Sequence, residues 1–286
     1  MEYPRSVKQG SILVLKVRNE AEITSLTARL LKPSEGAEPK EIWISEGKPR
    51  MTASGERAML AFLCVPLSVQ AGEYVLSVSA VTGERPWEAE APVTVEARKS
   101  PYMEIKLNEA LTGIKASPDP RKAEESREIS ALLTGGDASA DFIAGPFARP
   151  LAEKAVTATF GDARKYLYAT GGSSTSVHLG LDLHHDTGVP VAASGRGRVV
   201  MAKERIVTGK TVVIEHEPGL FSLYYHMDRI DVAVGDFVEA GRTVGAVGST
   251  GLATGPHLHW ELRLRAEAVD PECLVGNPIL EGLVNP

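Results

Sequence analysis

The chain has 286 residues, of which 43% are hydrophobic and 24% charged, and its formal net charge is −6. These proportions are those of a globular protein and exclude a long disordered chain. The acidic balance gives no reason to expect nucleic acid as a partner, and two cysteines, Cys64 and Cys273, are too few for a disulfide scaffold or a four-cysteine zinc site.

The length suggests two domains. The opening stretch, MEYPRSVKQGSILVLKV, lacks the basic leader and longer apolar core of a signal peptide. No stretch approaches the roughly 18–20 apolar residues that a membrane helix needs. The expectation is a cytosolic protein, or an exported one whose signal has been trimmed.

Residues 10–97 read as short strands. SILVLKV, EIWIS, AMLAFLCVPL, EYVLSVSAV and APVTVEA are rich in Val, Ile and Leu and are separated by Gly, Pro and charged turns. In EYVLSVSAV, Tyr74, Leu76 and Val78 share one face, opposite Val75, Ser77 and Ser79. An immunoglobulin-like β-sandwich over residues 1–97 is the simplest expectation. Residues 98–146 mix charge, Pro, Gly and Ala, and read as a linker or wrapping arm with one short helix at KAEESREISALL, preceded by Pro120. From 147 to 286 the β character returns. VHLGLDLHH, KTVVIEHE, LFSLYYHM and HLHWELRLR lie between Gly-rich turns and predict a compact antiparallel β domain.

All seven histidines lie at or beyond position 178, so metal or acid–base chemistry is expected there. His178 and Asp182, in HLGLD, are separated by even steps and would share one face of a strand. His257 and His259, in HLHWE, would share a face too, with Leu258 and Trp260 opposite. A catalytic zinc site uses three protein ligands and an open position. His178, Asp182 and one of His257 and His259 supply such a set.

HLGLDL, GVPVAASGRGRVV, VVIEHEPGLFSLYYHMDRI and VGDFVEAGRTVGAVGSTGLATGPHLHWELR, in that order, resemble the lysostaphin/LytM-type zinc metallopeptidases. The resemblance runs from about Phe147 to Leu274. Upstream, FIAGPFARPL and TATFGDARKYLY look like the lead-in of bacterial envelope members with an N-terminal β domain. The resemblance implies that His178, Asp182 and His259 bind Zn2+, and that His226 and His257 are catalytic histidines beside it. It also implies a periplasmic or cell-envelope location and peptidoglycan peptides as partners.

Other residues carry weaker signals. His184 and His185 suit an exposed turn, and His216 a strand end. Glu261 shares the face of His259 and is placed to orient an imidazole. Tyr166, Tyr168 and Tyr224 are candidate donors to an oxyanion, and Trp260 is expected in the core. GSTGLATGP lacks the Lys and helix of a phosphate loop.

Three functions follow as expectations. The first is a zinc endopeptidase that cleaves cross-links or stems of peptidoglycan. The second is a non-catalytic envelope regulator that binds and activates a cell-wall amidase; such relatives usually lose metal-site residues, and all five positions are kept here. The third is a structural zinc protein with His257 or His184 as fourth ligand. The connector before the C-terminal domain also suggests that the N-terminal region contacts the catalytic groove and restrains it.

Overall fold

The computed structural model describes residues 1–152 and 155–284. Their contacts divide into two units. The first holds Met1–Arg98, Ala144–Pro146 and the tail from Gly276; the second holds Lys99–Ile143 and Phe147–Val275. The connector segment thus groups largely with the C-terminal unit.

The first unit contains two β-sheets around one core. The five-stranded sheet runs Ser6–Lys8, Arg85–Glu96, Gly72–Thr82, Ile23–Lys32, Lys40–Glu46. The four-stranded sheet runs Ser11–Val17, Arg57–Val65, Lys48–Thr52, Leu283–Val284. Alternation places the core as expected: Tyr74, Leu76 and Val78 are buried, and their odd-numbered neighbours are only half-buried. They meet Leu13 and Leu15 from the other sheet in one apolar cluster. Strand Ile23–Lys32 goes unmarked in the sequence reading because its inward Leu26, Ala28 and Leu30 are diluted by Thr27 and Arg29.

The second unit is built on an eight-stranded antiparallel sheet. Its main path is Ala155–Ala158, Leu181–His184, His257–Leu264, Leu220–Met227, Gly209–Glu217, Gly197–Arg205, Phe237–Val238, and Glu267–Val269 pairs on the side of His257–Leu264. One face carries Leu181, Leu183, Leu258, Trp260 and Tyr224 into the main core. Successive side chains on a strand alternate in direction, so Asp182, His257, His259 and Tyr225 occupy the opposite face.

That opposite face is also where the connector docks. Helix Pro120–Thr134, capped by the Asp119 side chain on Arg121 N–H, is longer than the short helix read from KAEESREISALL. Its Leu133, Leu132 and Ile129 pack with Met201, Val213, Phe221, Leu223 and Tyr225. The connector adds a strand, Tyr102–Lys106, parallel to Ala163–Leu167, and a second helix, Glu109–Ala116. Neither stands out in the sequence, because eight residues with few apolar positions carry little periodicity. Among the described residues, no helix is long and apolar enough to cross a membrane. Cys64 is buried and Cys273 half-buried.

Candidate metal centre and active site

His178 does not lie on the strand that carries Asp182. It follows strand Ser173–Val177, and Asp182 belongs to the next strand, Leu181–His184. The even spacing of the two residues is therefore not a shared strand face. The chain turns between them at Gly180, where a Cβ would stand 2.5 Å from the Trp260 carbonyl oxygen and 2.9 Å from His259 Nε2. Only glycine fits that approach.

The turn brings three atoms together. His178 Nε2 lies 3.0 Å from Asp182 Oδ1 and 2.9 Å from His259 Nδ1, and the latter two are 2.7 Å apart. All three residues are buried. Their outer atoms are already committed. His178 Nδ1–H donates to the Thr159 carbonyl at 2.8 Å, and His259 Nε2–H donates to Glu261 Oε1 at 2.9 Å. Carbonyl and carboxylate oxygens only accept, so the neutral rings present bare nitrogens to each other and to Asp182 Oδ1. Arg164 donates to the other Asp182 oxygen at 2.6 Å.

Three lone-pair atoms this close need a positive charge among them. When a proton rather than an ion supplies that charge, burial opposes ionisation of the Asp182 carboxyl, yet hydrogen bonds from the protonated inner nitrogens of His178 and His259 hold it well below the usual carboxylate range. Burial also pushes the His259 imidazole down, but Asp182 and Glu261 outweigh this and raise it to about 9. Two nitrogens and one oxygen with outward-fixed tautomers fit a divalent metal such as zinc.

His226 and His257 flank this set. His226 is the penultimate residue of the inner strand Leu220–Met227 and has φ +61°, a rare conformation for a residue with a side chain. Its backbone N–H donates to Thr208 O and its Nδ1–H to Thr250 O, both at 2.8 Å. His257 Nδ1–H donates to Gly255 O at 2.8 Å. The rings of His226 and His257 are 4.9 Å apart. Burial lowers both imidazoles, that of His226 to about 3, with His257 and His259 adding repulsion. Both are neutral near pH 7, and each keeps an Nε2 lone pair. His257 Nε2 stands 3.8 Å from Asp182 Oδ1.

A cleft of about 430 Å³ opens over these residues. Its walls include Met103, Ile105, Leu107 and Lys115 from the connector, with Tyr166 and Leu252.

Other expected residues fall into place around the site or away from it. Glu261 orients His259. His184 is exposed and bonds Pro256 O, and His185 is half-exposed on the adjoining turn. His216 is fully buried, with Nδ1–H on Arg196 O at 2.7 Å and Nε2 2.8 Å from Ser222 Oγ. Tyr224 is not an oxyanion donor: it points into the core and bonds Ser194 and Ser222. Tyr168 lies in a turn outside the cleft lining, and Trp260 is fully buried. The sequence reading did not find Arg164, or Tyr225, whose ring stacks on His259 at 5.3 Å. Thr159 and Thr250 act through backbone carbonyls, which leave no trace in residue type.

A buried His–Asp–His set with uncharged histidines beside it and an open cleft above is the arrangement of a metallopeptidase. Residues 176–271 match Peptidase family M23, and this part of the chain is a domain of that family. The chain is 38% identical over 93 residues to the peptidoglycan DD-endopeptidase ShyB of Vibrio cholerae, a stretch covering 32% of this chain and 22% of that protein. It is 39% identical over 95 residues to the DD-carboxypeptidase/endopeptidase Mpg of Neisseria meningitidis, covering 33% of this chain and 22% of the relative. The chain thus spans well under two thirds of the length of the curated relatives it matches. A solved peptidase M23 structure from Pseudomonas aeruginosa aligns over 92% of each chain with a TM-score of 0.54 and 24% identity, which shows a shared fold.

Proposed function

We propose that this protein is a zinc-dependent endopeptidase that hydrolyses peptide cross-links or stems of bacterial peptidoglycan in the cell envelope. The observation that carries the reading is the convergence of His178 Nε2, Asp182 Oδ1 and His259 Nδ1 within 3.0 Å, each imidazole held in the tautomer that frees its inner nitrogen. Zinc bound by these three atoms would polarise the scissile carbonyl and acidify a water molecule.

The chain's own residues supply the rest. His226 and His257 are neutral and hold protons on Nδ1, so their Nε2 atoms are free to take a proton from water. Once protonated, either imidazolium donates to the developing oxyanion or to the leaving amine. The Thr250 and Gly255 carbonyls fix the rings, so proton transfer needs no reorientation. Arg164 keeps the Asp182 carboxylate aligned, and Glu261 does the same for His259.

The regulator reading is less well supported, because every position that a degenerate relative would lose is present and in contact. The structural-zinc reading needs a fourth ligand, and among the described residues only His178, Asp182 and His259 form a metal-binding group. The test measures bound zinc and the release of new amino termini from purified cell wall by wild type, Asp182→Ala and His226→Ala. Zinc-loaded wild type that releases none would overturn the proposal.

A further inference from the structure

Four charged side chains other than histidine line the cleft: Lys115, Arg164, Asp182 and Glu261. Three are committed. Arg164 pairs with Asp182, and Glu261 pairs with Arg263 and His259. Lys115 makes no ion pair among the described residues.

Lys115 is half-buried in the last turn of helix Glu109–Ala116, with Nζ 4.3 Å from the centre of the Tyr166 ring. A cation over a ring face keeps its N–H donors available on the side away from the ring. Tyr166 is two residues from Arg164 on strand Ala163–Leu167, and its hydroxyl lies beside the Arg164 guanidinium. Lys115 is therefore linked to the metal ligand Asp182 through two side chains that share one wall.

Nearby acids do not neutralise it. Glu104 alternates away from Met103 and Ile105, and meets Lys165 and the Tyr102 hydroxyl instead. Asp119 is held by Arg121. Beside the ammonium, Met103, Ile105 and Leu107 present an apolar strip along the cleft. A partly desolvated cation next to aliphatic side chains selects a ligand with a carboxylate and a small apolar group.

We propose that Lys115 binds a free carboxylate of the peptide substrate and gives the cleft a preference for acidic peptides with aliphatic side chains. The proposal rests on the endopeptidase reading for its substrate class. It makes a helix of the connector part of substrate recognition.

The test is calorimetric, on the full zinc-loaded chain, with acetyl-D-alanyl-D-alanine and its C-terminal amide as probes. Wild type is expected to bind the acid about tenfold more tightly than the amide, as a charge-assisted pair in a partly dry site gives. Lys115→Gln should weaken acid binding about tenfold and leave the amide unchanged, and Lys115→Arg should keep the preference. Unchanged melting temperatures confirm that the variants are folded. Three results overturn the proposal: a preference that survives Lys115→Gln, which places the carboxylate elsewhere; equal weakening of both probes, which marks a packing role; or a wild type that binds both alike or neither. Binding is read without hydrolysis. A chain that prefers the acid through Lys115 but cleaves no cell wall refutes the endopeptidase reading alone; one that cleaves it without the preference refutes the Lys115 proposal alone.

Discussion

Both carboxylate oxygens of Glu125 accept the backbone N–H of Ile206, at 3.0 and 3.2 Å. The Glu125 carbonyl accepts Arg205 Nη2 at 2.8 Å. One turn of the connector helix thus grips the strand end whose next residues hold the active site: Thr208 O accepts the His226 N–H, and Val207 O accepts the Leu252 N–H. Glu125→Ala is expected to destabilise the unit by about 1–2 kcal/mol. It should also lower kcat several-fold with KM little changed, because His226 loses a fixed support. Glu125→Gln, which keeps an acceptor oxygen, should stay close to wild type. Steady-state kinetics with thermal melts separate the two effects, and a loss of stability without a loss of kcat would uncouple the helix from His226.

Metal ligands and proton carriers should separate cleanly on mutation. Asp182→Ala removes the carboxylate shared by both ligand histidines and leaves Arg164 without its partner, so zinc content should fall towards zero. His226→Ala should retain zinc while cell-wall hydrolysis drops by about 10²–10⁴-fold, the usual scale of acid–base assistance. Elemental analysis beside the hydrolysis assay checks both. Loss of zinc from His226→Ala would make that residue a ligand.

Chelation should lower the melting temperature. The three ligand atoms converge only in the folded chain, so binding selects the folded state. At free zinc a hundredfold above Kd the stabilisation is about 2.7 kcal/mol. Melting with and without a chelator measures it, and His178→Ala should melt alike in both conditions.

The buried His216 gives a pH effect remote from the metal. Burial lowers its imidazole to about 4, against an ordinary value of 6.5. The unfolded chain takes up this proton below about pH 6.5 and the folded chain does not. Its contribution is therefore fully present above pH 6.5 and is lost progressively as pH falls to about 4, by about 3 kcal/mol at most. Denaturant unfolding between pH 7.5 and 4.5 should show a shallower decline in His216→Gln than in wild type.

Removing residues 1–146 takes more than a spacer from the second unit. Leu133 and Ile129 leave the face formed by Met201, Phe221 and Tyr225, and Glu125 leaves Ile206. The truncated chain is expected to aggregate more and to turn over more slowly than the full chain. A soluble truncation with higher specific activity would instead support restraint of the groove by the N-terminal region.

The site was legible in the sequence to the extent that it consists of side chains with rare chemistry at short spacing. His257 and His259 lie on one strand face, as alternation requires, with Leu258 and Trp260 buried behind them. The set His178, Asp182 and His259 converges through a different local geometry from the one that spacing suggested, since a turn at Gly180 replaces a continuous strand. Arg164 escaped notice because it stands fourteen residues before His178 and has no periodic tie to it; the antiparallel pairing of strand Ala163–Leu167 with Ser173–Val177 sets it opposite Ser176, beside the motif. The connector read as a linker because its apolar residues are few. Those few, Leu133 above all, are the ones that dock.

The tail strand Leu283–Val284 pairs with Met51 and Thr52, and Lys16 Nζ holds the Ile279 carbonyl at 2.8 Å. The chain leaves the first unit after Arg98, rejoins it at Ala144–Pro146 and comes back to it for good at Gly276. The four-stranded sheet of the first unit is therefore complete only once residues beyond Gly276 have been synthesised.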